Sequence, residues 1–186
     1  KKDEVIKKHN LPKRYILSIG SIEERKNILL AIKALKYLPD DIHIIAIGKQ
    51  RKYTEEIIQY MTDNGLEERV HLLSGIPLND LPAILQMAQL FVYPSIYEGF
   101  GIPIIEALNS RIPVIAATGS CLEEAGGPGT IYINPYDEKE LGEQINRVLN
   151  DKQLHDKMVA DGLEYVKRFN DKKCTADLMD VYKKLI

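Results

Sequence analysis

Short apolar runs alternate with amphipathic stretches along most of the chain. The runs are rich in Ile, Val and Leu and predict strands at Tyr15–Ile19, Ile42–Ile47, Val70–Leu73, Leu90–Tyr93, Val114–Ala116 and Ile131–Ile133. Between them, apolar residues recur at helical spacing, at Ile28, Ile32, Leu35 and Leu38, at Ile57, Ile58 and Met61, and at Leu81, Ile84, Leu85 and Ala88. The alternation predicts an α/β, Rossmann-like parallel sheet of about six strands with helices on both faces.

The pattern changes at Asp137, after which it is helical almost to the end of the chain. Asp137 and Glu140 have the spacing of a capping box, which predicts a helix start at this point. Helices are also expected to begin near Thr54 and Asp80, because both side chains can accept hydrogen bonds from a first helical turn.

Composition is typical of a globular domain. The chain has 186 residues, of which 45% are hydrophobic and 28% charged. A chain of this length usually forms one domain with a complete core, so residues 1–186 are expected to be a single domain. The formal net charge is −2, and a chain without a basic excess is a poor match for a polyanion. Nucleic acid is therefore not expected as a partner.

Cysteines and apolar runs indicate the compartment. Cys121 and Cys174 form no CxxC pair, and the four histidines do not fall at the spacing of metal ligands, so neither disulfides nor a metal site is expected. No apolar run approaches the roughly 18 residues of a membrane span, and the first residues do not resemble a signal peptide. We expect a cytoplasmic protein. The chain starts at Lys1 rather than Met, which suggests a piece of a longer protein.

In an open parallel sheet, ligands bind beyond the carboxyl ends of the strands. Gly20 and Ser21 follow the first predicted strand, and Arg25 and Lys26 come next, at the expected entry to a helix. Two cations beside the free N–H groups of a helix N-terminus form an anion site in outline. The alternative is a solvated charged turn, which is the commoner explanation of an isolated Arg-Lys pair.

The loop after the fourth predicted strand leads into a helix and contains two glycines, Gly99 and Gly101. Glycines allow the backbone to turn tightly beside a ligand, and Pro103 fits the first helical turn. Glu98 in the loop and Glu106 about one turn into the helix can face one cleft and accept hydrogen bonds from sugar or ribose hydroxyls. Alternatively, Glu106 only stabilises the helix dipole.

Two further loops are candidates. Thr118 and Gly119, after the fifth strand, could close a phosphate pocket or form an ordinary turn with Ser120 as an N-cap. Gly75 and Ile76, after the third strand, could give a nucleobase an apolar edge, or could be a plain loop. No GxSxG elbow, P-loop or GxGxxG after the first strand is present, so hydrolase, P-loop and dinucleotide-binding functions lack their motifs.

Together these segments resemble the carboxyl-terminal, donor-binding domain of the group 1 glycosyltransferases, family 4, which have the two-domain GT-B architecture. The most specific segment is Ser95–Leu108, in which seven residues separate Glu98 from Glu106 as in the paired-glutamate motif of that family. Supporting segments are Ile19–Asn27, Ser74–Pro77, Arg111–Ala116 and Glu123–Gly126. The resemblance covers essentially the whole chain.

The resemblance implies a role for each motif. Glu106 would bind the ribose hydroxyls of a nucleotide, and Glu98 would hold the donor sugar. Arg25 and Lys26 would clamp the diphosphate and stabilise it as it leaves, without a required metal or other cofactor. The remaining donor-binding positions would be Gly20, Ser21, Gly75, Ile76, Gly99, Phe100, Gly101, Ile102, Thr118 and Gly119.

Two positions depart from the family pattern. Many relatives carry Arg where this chain has Ser21, which weakens the assignment of Arg25 relative to that of Lys26. Relatives often have Gly where this chain has Arg111, and the sequence alone suggests only a surface change at that position.

The resemblance also implies a retaining enzyme whose acceptor site lies in an amino-terminal domain outside this chain. We therefore expect the chain to bind a nucleotide sugar but not to turn over alone. Polysaccharide or lipopolysaccharide assembly is the common setting of relatives, and any peripheral association with a membrane would come from the other domain. The closing segment Asp171–Ile186 would pack towards that domain, which leaves Met179, Tyr182 and Leu185 as a face for a weak dimer.

Two alternatives stay open at this point. The chain could be a non-catalytic, Rossmann-like nucleotide-binding or regulatory module that uses the same cleft without chemistry. A receiver-like or flavodoxin-like domain is the other, but the first strand ends at Gly20-Ser21 rather than in acidic residues or a phosphate-binding Ser/Thr loop.

Overall fold

The computed structural model describes residues 2–169 of the chain. Within them, six strands form one parallel sheet in the order β3-β2-β1-β4-β5-β6. The strands are β1 (Tyr15–Ile19), β2 (His43–Ile47), β3 (Val70–Leu73), β4 (Leu90–Tyr93), β5 (Val114–Ala117) and β6 (Ile131–Ile133). The predicted fold class and all six predicted strands are confirmed. β2 begins one residue later than predicted, because the Ile42 N–H closes a turn with the Pro39 carbonyl at 3.0 Å.

Helices connect the strands and cover both faces of the sheet. They are α1 (Lys2–His9), α2 (Ile28–Ala34), α3 (Thr54–Asp63), α4 (Leu81–Met87), α5 (Ile102–Asn109), α6 (Leu122–Gly126), α7 (Glu138–Asn150) and α8 (Lys152–Val166). Side chains alternate between the faces along each strand. Ile44 and Val92 therefore pack under α2, α3 and α7, whereas Ile45 and Phe91 pack under α1, α4, α5 and α6.

The predicted core stripes hold with one exception. Ile57 and Met61 of α3 are buried, but Ile58 is 49% exposed, so its inclusion in the buried stripe was wrong. Residues four apart lie on the same side of a helix, whereas the neighbour of a buried residue is rotated by about 100°. In this short helix that rotation carries Ile58 into solvent.

The helices start near the predicted residues, but the predicted capping hydrogen bonds form at only some of these starts. The Asp137 side chain accepts hydrogen bonds from the backbone of Lys139 and Glu140, as an N-cap does. The Glu140 carboxylate accepts from the Asn134 N–H instead of the N-cap N–H, so only half of the capping box forms. Asp80 precedes α4 but makes no cap, because its carboxylate pairs with Lys8 and His9 of α1.

Arg111 lies in a position that favours glycine. Its φ is +63°, and it follows the end of α5 with its N–H bonded to the Leu108 carbonyl at 3.1 Å. This left-handed residue after a helix is usually Gly. The departure at Arg111 is thus a backbone strain at a helix end and not merely a surface change.

The strand order places a topological switch point between β1 and β4. The chain builds outwards from β1 through β2 to β3, then returns to β4 and continues to β6 on the other side. Connections leave the sheet in opposite directions at such a point, so a crevice opens beyond the carboxyl ends of the two strands. The loops after β1 and β4 are therefore where a ligand site is expected.

Within residues 2–169, no helix has the length and apolar character needed to cross a membrane. The predicted closing helix Asp171–Ile186, with the proposed dimer face at Met179, Tyr182 and Leu185, lies outside the described residues.

Candidate active site

The loop after β1 carries the two predicted cations, but not on a long helix. Arg25 and Lys26 lie on a 3-10 turn at Glu24–Lys26, and α2 begins only after Asn27, whose φ is +57°. The Asn27 side chain donates hydrogen bonds to the carbonyls of Pro94 and Pro135, at 3.0 Å and 2.7 Å. Because these carbonyls follow β4 and β6, Asn27 fixes the cationic turn against the loops beyond both strands.

Lys26 is held between two side chains at the switch point. Its ammonium forms an ion pair with the Glu98 carboxylate and donates a hydrogen bond to the Tyr93 hydroxyl, with 3.0 Å between Nζ and Oη. The Lys26 side chain is only 15% exposed. Burial raises the pKa of Tyr93 and the neighbouring Glu98 carboxylate adds to the rise, so this phenol stays neutral and can accept a hydrogen bond from the ammonium.

Arg25 is more loosely placed than Lys26. Its side chain is 47% exposed, and Nη1 lies 3.4 Å from Glu98 Oε2 and 3.2 Å from the Tyr97 carbonyl oxygen. Its Nε also bonds to Glu23 at 3.1 Å. A hydrogen bond from Ser21 lowers the pKa of Glu23, and the charges of Arg25 and Arg51 lower it further. Arg25 is thus shared between two carboxylates on the solvent side of the cluster.

Glu98 is the centre of this cluster and is ionised at neutral pH. Its side chain is 9% exposed. Burial raises the pKa of Glu98, but Lys26, Ser95 and Tyr93 together outweigh burial through hydrogen bonds and the Lys26 charge, so the pKa lies below its usual value of 4.5. An ionised carboxylate only accepts hydrogen bonds, so Glu98 can bind hydroxyl groups and hold Lys26 but has no proton to give.

The glycine-containing loop before α5 packs closely against α6. Gly101 precedes α5 with φ of +112°, and a Cβ at this position would lie 3.0 Å from Leu122 and 3.2 Å from Ala125 of α6. Phe100 packs edge-on against Phe169. The Cys121 thiol donates to the Glu98 carbonyl at 3.2 Å. These contacts fix the backbone that carries Glu98 and Gly99.

Predicted residues from the loops after β1 and β3, together with residues after β2, line an open cleft beside the ion cluster. The cleft has a volume of about 450 Å³ and lies over the carboxyl ends of β1, β2 and β3. Its lining residues are Ile19, Gly20, Ser21, Ile47, Gly48, Lys49, Gln50, Ser74, Gly75 and Ile76. Gly20 and Ser21 also border a smaller hollow that Lys26 and Tyr93 line, so the cleft adjoins the space beside Lys26.

Glu106 lies on an adjoining cleft of about 310 Å³. It is exposed on α5 and faces the apolar side chains of Leu78, Leu81 and Pro82 across the space. Ile19 lines both this cleft and the 450 Å³ cleft, so the two clefts adjoin at that residue. Glu98 thus lies at the cations, whereas Glu106 borders the adjoining cleft together with Leu78 and Leu81.

Thr118 and Gly119 are engaged elsewhere. The Thr118 hydroxyl and the Gly119 N–H both donate to the Glu123 carboxylate, at 2.8 Å and 3.1 Å. Ser120 does not act as the N-cap of α6, which begins after Cys121. Neither Thr118 nor Gly119 lines the two clefts described above, so an internal carboxylate occupies the donors that were candidates for a phosphate.

Several site residues escape sequence reasoning. Tyr93 is a buried strand residue whose hydroxyl role has no local signal. Gly48 and Lys49 line the cleft, and their position directly after the second predicted strand was an available signal.

The register of β2 with β3 also brings His43 Nδ1 within 3.0 Å of His71 Nε2, near the amino ends of the strands and away from the cleft. The spacing of the histidines did not predict that contact.

Comparison with known proteins gives a consistent result. The family model described as "Glycosyl transferases group 1" matches residues 1–165. The chain is 31% identical to the O-antigen chain mannosyltransferase B of Escherichia coli, over 97% of this chain and 49% of that protein. It is 34% identical to the O-antigen chain mannosyltransferase RfbU of Salmonella typhimurium, over 80% of this chain and 41% of that protein. The chain thus spans about half the length of the curated relatives that it matches.

A solved structure with the same fold is that of HepE from Anabaena, in complex with UDP-glucose. It superposes with a TM-score of 0.87 at 22% identity, over 98% of this chain and 52% of that chain.

Proposed function

This chain belongs to the group 1 glycosyltransferases, and we propose that it is the donor-binding domain of a retaining enzyme that transfers a sugar from a nucleoside diphosphate to a glycan or lipid-linked acceptor. The observation that carries the proposal is the cluster of Lys26, Arg25 and Glu98 at the switch point between β1 and β4, next to the 450 Å³ cleft, with Glu106 on the cleft that adjoins it. In a nucleoside diphosphate sugar the diphosphate joins the sugar to the ribose, so a donor site needs cations between an acceptor for sugar hydroxyls and an acceptor for ribose hydroxyls.

Lys26 is the principal phosphate ligand in this proposal. Its ammonium is largely buried and its direction is fixed by Tyr93 and Glu98, so little reorganisation is needed when charge develops on the departing diphosphate. Arg25 adds a second cation from the solvent side. The positive charges supply the electrostatic stabilisation, and the proposal requires no metal ion.

Glu98 acts as an acceptor for sugar hydroxyls. Because its pKa is lowered, it is ionised throughout the neutral range and accepts hydrogen bonds without exchanging a proton. It also holds Lys26 in place before the donor binds. Glu106, exposed on α5, accepts hydrogen bonds from the ribose, and the apolar side chains of Leu78 and Leu81 lie on the base side.

The names of the relatives supply the proposed context. Both curated relatives are O-antigen mannosyltransferases, and the Anabaena structure holds UDP-glucose. They support a nucleoside diphosphate hexose as the donor, with mannose the first sugar to test, and a place in bacterial polysaccharide or lipopolysaccharide biosynthesis. The acceptor site and the remaining catalytic groups belong in this proposal to an amino-terminal domain.

Two variants separate the roles of the glutamates. Glu106→Ala should weaken the binding of a free nucleoside diphosphate, because the ribose loses its acceptor. Glu98→Ala should mainly abolish discrimination between sugars attached to the same nucleotide. Glu67→Ala is a matched control, because Glu67 is exposed on the turn before β3 and lines neither cleft.

Calorimetric titration of each variant with nucleoside diphosphates and their hexose conjugates measures both effects. Unchanged binding in Glu98→Ala and Glu106→Ala alike would contradict the proposed donor site.

A further inference from the structure

A further cleft lies on the other side of the loops that carry the ion cluster. Its volume is about 280 Å³, close to the lower limit of roughly 300 Å³ for pockets that hold small ligands. It lies between the starts of α2 and α7, over the face of the sheet that those helices cover. Its lining residues are Glu24, Asn27, Leu29, Leu30, Lys33, Tyr53, Ile96, Pro135, Tyr136 and Glu138.

This α2–α7 cleft and the ion cluster share their supporting loops. The Ile96 N–H donates to the Arg25 carbonyl at 2.9 Å, so the 3-10 turn after β1 and the loop after β4 are tied together by their backbones. Glu24 is the neighbour of Arg25, and Ile96 comes two residues before Glu98. A ligand in the α2–α7 cleft would therefore lie directly beside the groups proposed to hold the donor sugar.

The lining of the cleft suits a sugar chain. Tyr136 is 71% exposed, and its N–H bonds to the Asn134 side chain at 2.9 Å, which fixes the backbone turn from which the ring extends. Tyr53 is half-buried across the space. Burial raises the pKa of Tyr53 and the carboxylates of Glu56 and Glu24 add to the rise, so this ring stays neutral. The faces of such rings attract the electropositive C–H groups of a pyranose.

The charges in the cleft favour a neutral ligand with many hydroxyl groups. Glu24 and Glu138 contribute two carboxylates and Lys33 one ammonium. The backbone and the Lys36 ammonium lower the pKa of Glu138, so it is ionised and accepts hydrogen bonds. With the Lys36 ammonium paired to Glu138, two carboxylates face two ammonium groups, so the cleft has no net positive charge to attract a phosphate or an acidic sugar. Hydroxyl groups find both acceptors and a donor here.

We propose that the α2–α7 cleft is a glycan subsite that binds a neutral oligosaccharide, the growing acceptor chain, beside the donor sugar. The inference rests on the proposed function and adds to it a part of acceptor recognition carried by the donor-binding domain itself.

Chemical-shift titration of the isotope-labelled chain tests the inference with two probes, an α-linked mannotetraose and maltotetraose, and with UDP and GDP in parallel. We expect saturable amide shifts around Tyr136 and Glu24 with at least one oligosaccharide. Tyr136→Ala should weaken that binding by about 2- to 12-fold, the range typical of an aromatic contact. Tyr136→Phe keeps the ring and should stay within about 2-fold of the wild type.

The possible results distinguish a failure of the glycan subsite from a failure of the proposed function. Nucleotide binding without oligosaccharide binding would overturn the glycan subsite alone. Oligosaccharide binding that Tyr136→Ala leaves unchanged would also overturn it, because the ligand would then lie elsewhere. Loss of the oligosaccharide in Tyr136→Ala, with nucleotide binding intact, supports the subsite. Absence of both kinds of binding would overturn the proposed function together with the inference.

Discussion

Gly48 is the residue whose substitution the geometry of the cleft opposes most strongly. It follows β2, and a Cβ at this position would lie 1.8 Å from the Gly20 carbonyl oxygen and 2.4 Å from the Gly20 carbonyl carbon. Both obstacles are backbone atoms that no rotamer change can move. In Gly48→Ala, the loop that carries Gly20 and Ser21 must therefore move by about 1.2 to 1.6 Å to restore a separation of 3.0 to 3.4 Å.

The magnitude follows from that displacement. Overpacking of this kind costs about 1 to 3 kcal/mol. The loop is also held by two backbone hydrogen bonds of 2.9 Å, from Gly20 N to Ile47 O and from Ile22 N to Lys49 O. Losing one of them adds about 1 kcal/mol. We expect Gly48→Ala to lower the free energy of unfolding by about 2 to 4 kcal/mol and to weaken nucleotide binding at least about 10-fold.

Urea denaturation and calorimetric titration measure these two quantities. Gly99→Ala is the control, because a Cβ at Gly99 meets no atom within 4 Å and its φ is not in the left-handed region. Its free energy of unfolding should stay within about 0.5 kcal/mol of the wild type. If Gly48→Ala were as stable as Gly99→Ala and bound nucleotide like the wild type, the close approach of β1 and β2 would be refuted.

Three further predictions follow from single residues. Tyr93→Phe removes the hydroxyl that orients Lys26 and should weaken nucleoside diphosphate binding about 5-fold, the equivalent of about 1 kcal/mol, which titration would show. Arg111→Gly relieves a left-handed conformation that costs about 1 to 2 kcal/mol, against the greater freedom of an unfolded glycine, so thermal unfolding should show a gain of up to about 1 kcal/mol. The folded-state pKa of Glu98 lies below 4.5, so its stabilisation is complete above that pH and is lost as the pH falls through the lowered value. The stability gap between wild type and Glu98→Gln should therefore be widest at neutral pH and close below pH 4.5; a constant gap would contradict the ion pair.

The fold was largely predictable because buried parallel strands carry their own signal. Runs such as Leu90–Tyr93 are apolar on both sides, as strands covered on two faces must be, and the bounds of that strand were predicted to the residue. Ile58 shows the limit of periodicity, since a short apolar stretch does not reveal how wide the buried stripe is. The backbone strain at Arg111 could not be predicted from the hydrophobic pattern, because it depends on the backbone dihedral angles.

The site was predictable in outline but not in its contacts. Residues after β1 and β4 meet because the strand order makes those strands neighbours, and the sequence contains no direct record of that order. The contacts of Lys26 with Glu98 and Tyr93, and the hydrogen bond from the Gly119 N–H to Glu123, depend on which side chains the fold brings close to each donor. The spacing of residues along the chain does not show which of several possible acceptors a given donor will bind.

Calorimetric titration of this chain with UDP, GDP, ADP and their hexose conjugates tests the proposed nucleotide-sugar site most directly, with Lys26→Ala and Glu106→Ala as variants. We expect saturable binding that is selective for one base and is lost or strongly weakened in both variants. Binding that both variants leave unchanged, or the absence of binding to any of these nucleotides, would contradict the assignment of Lys26 and Glu106 to a nucleotide-sugar site.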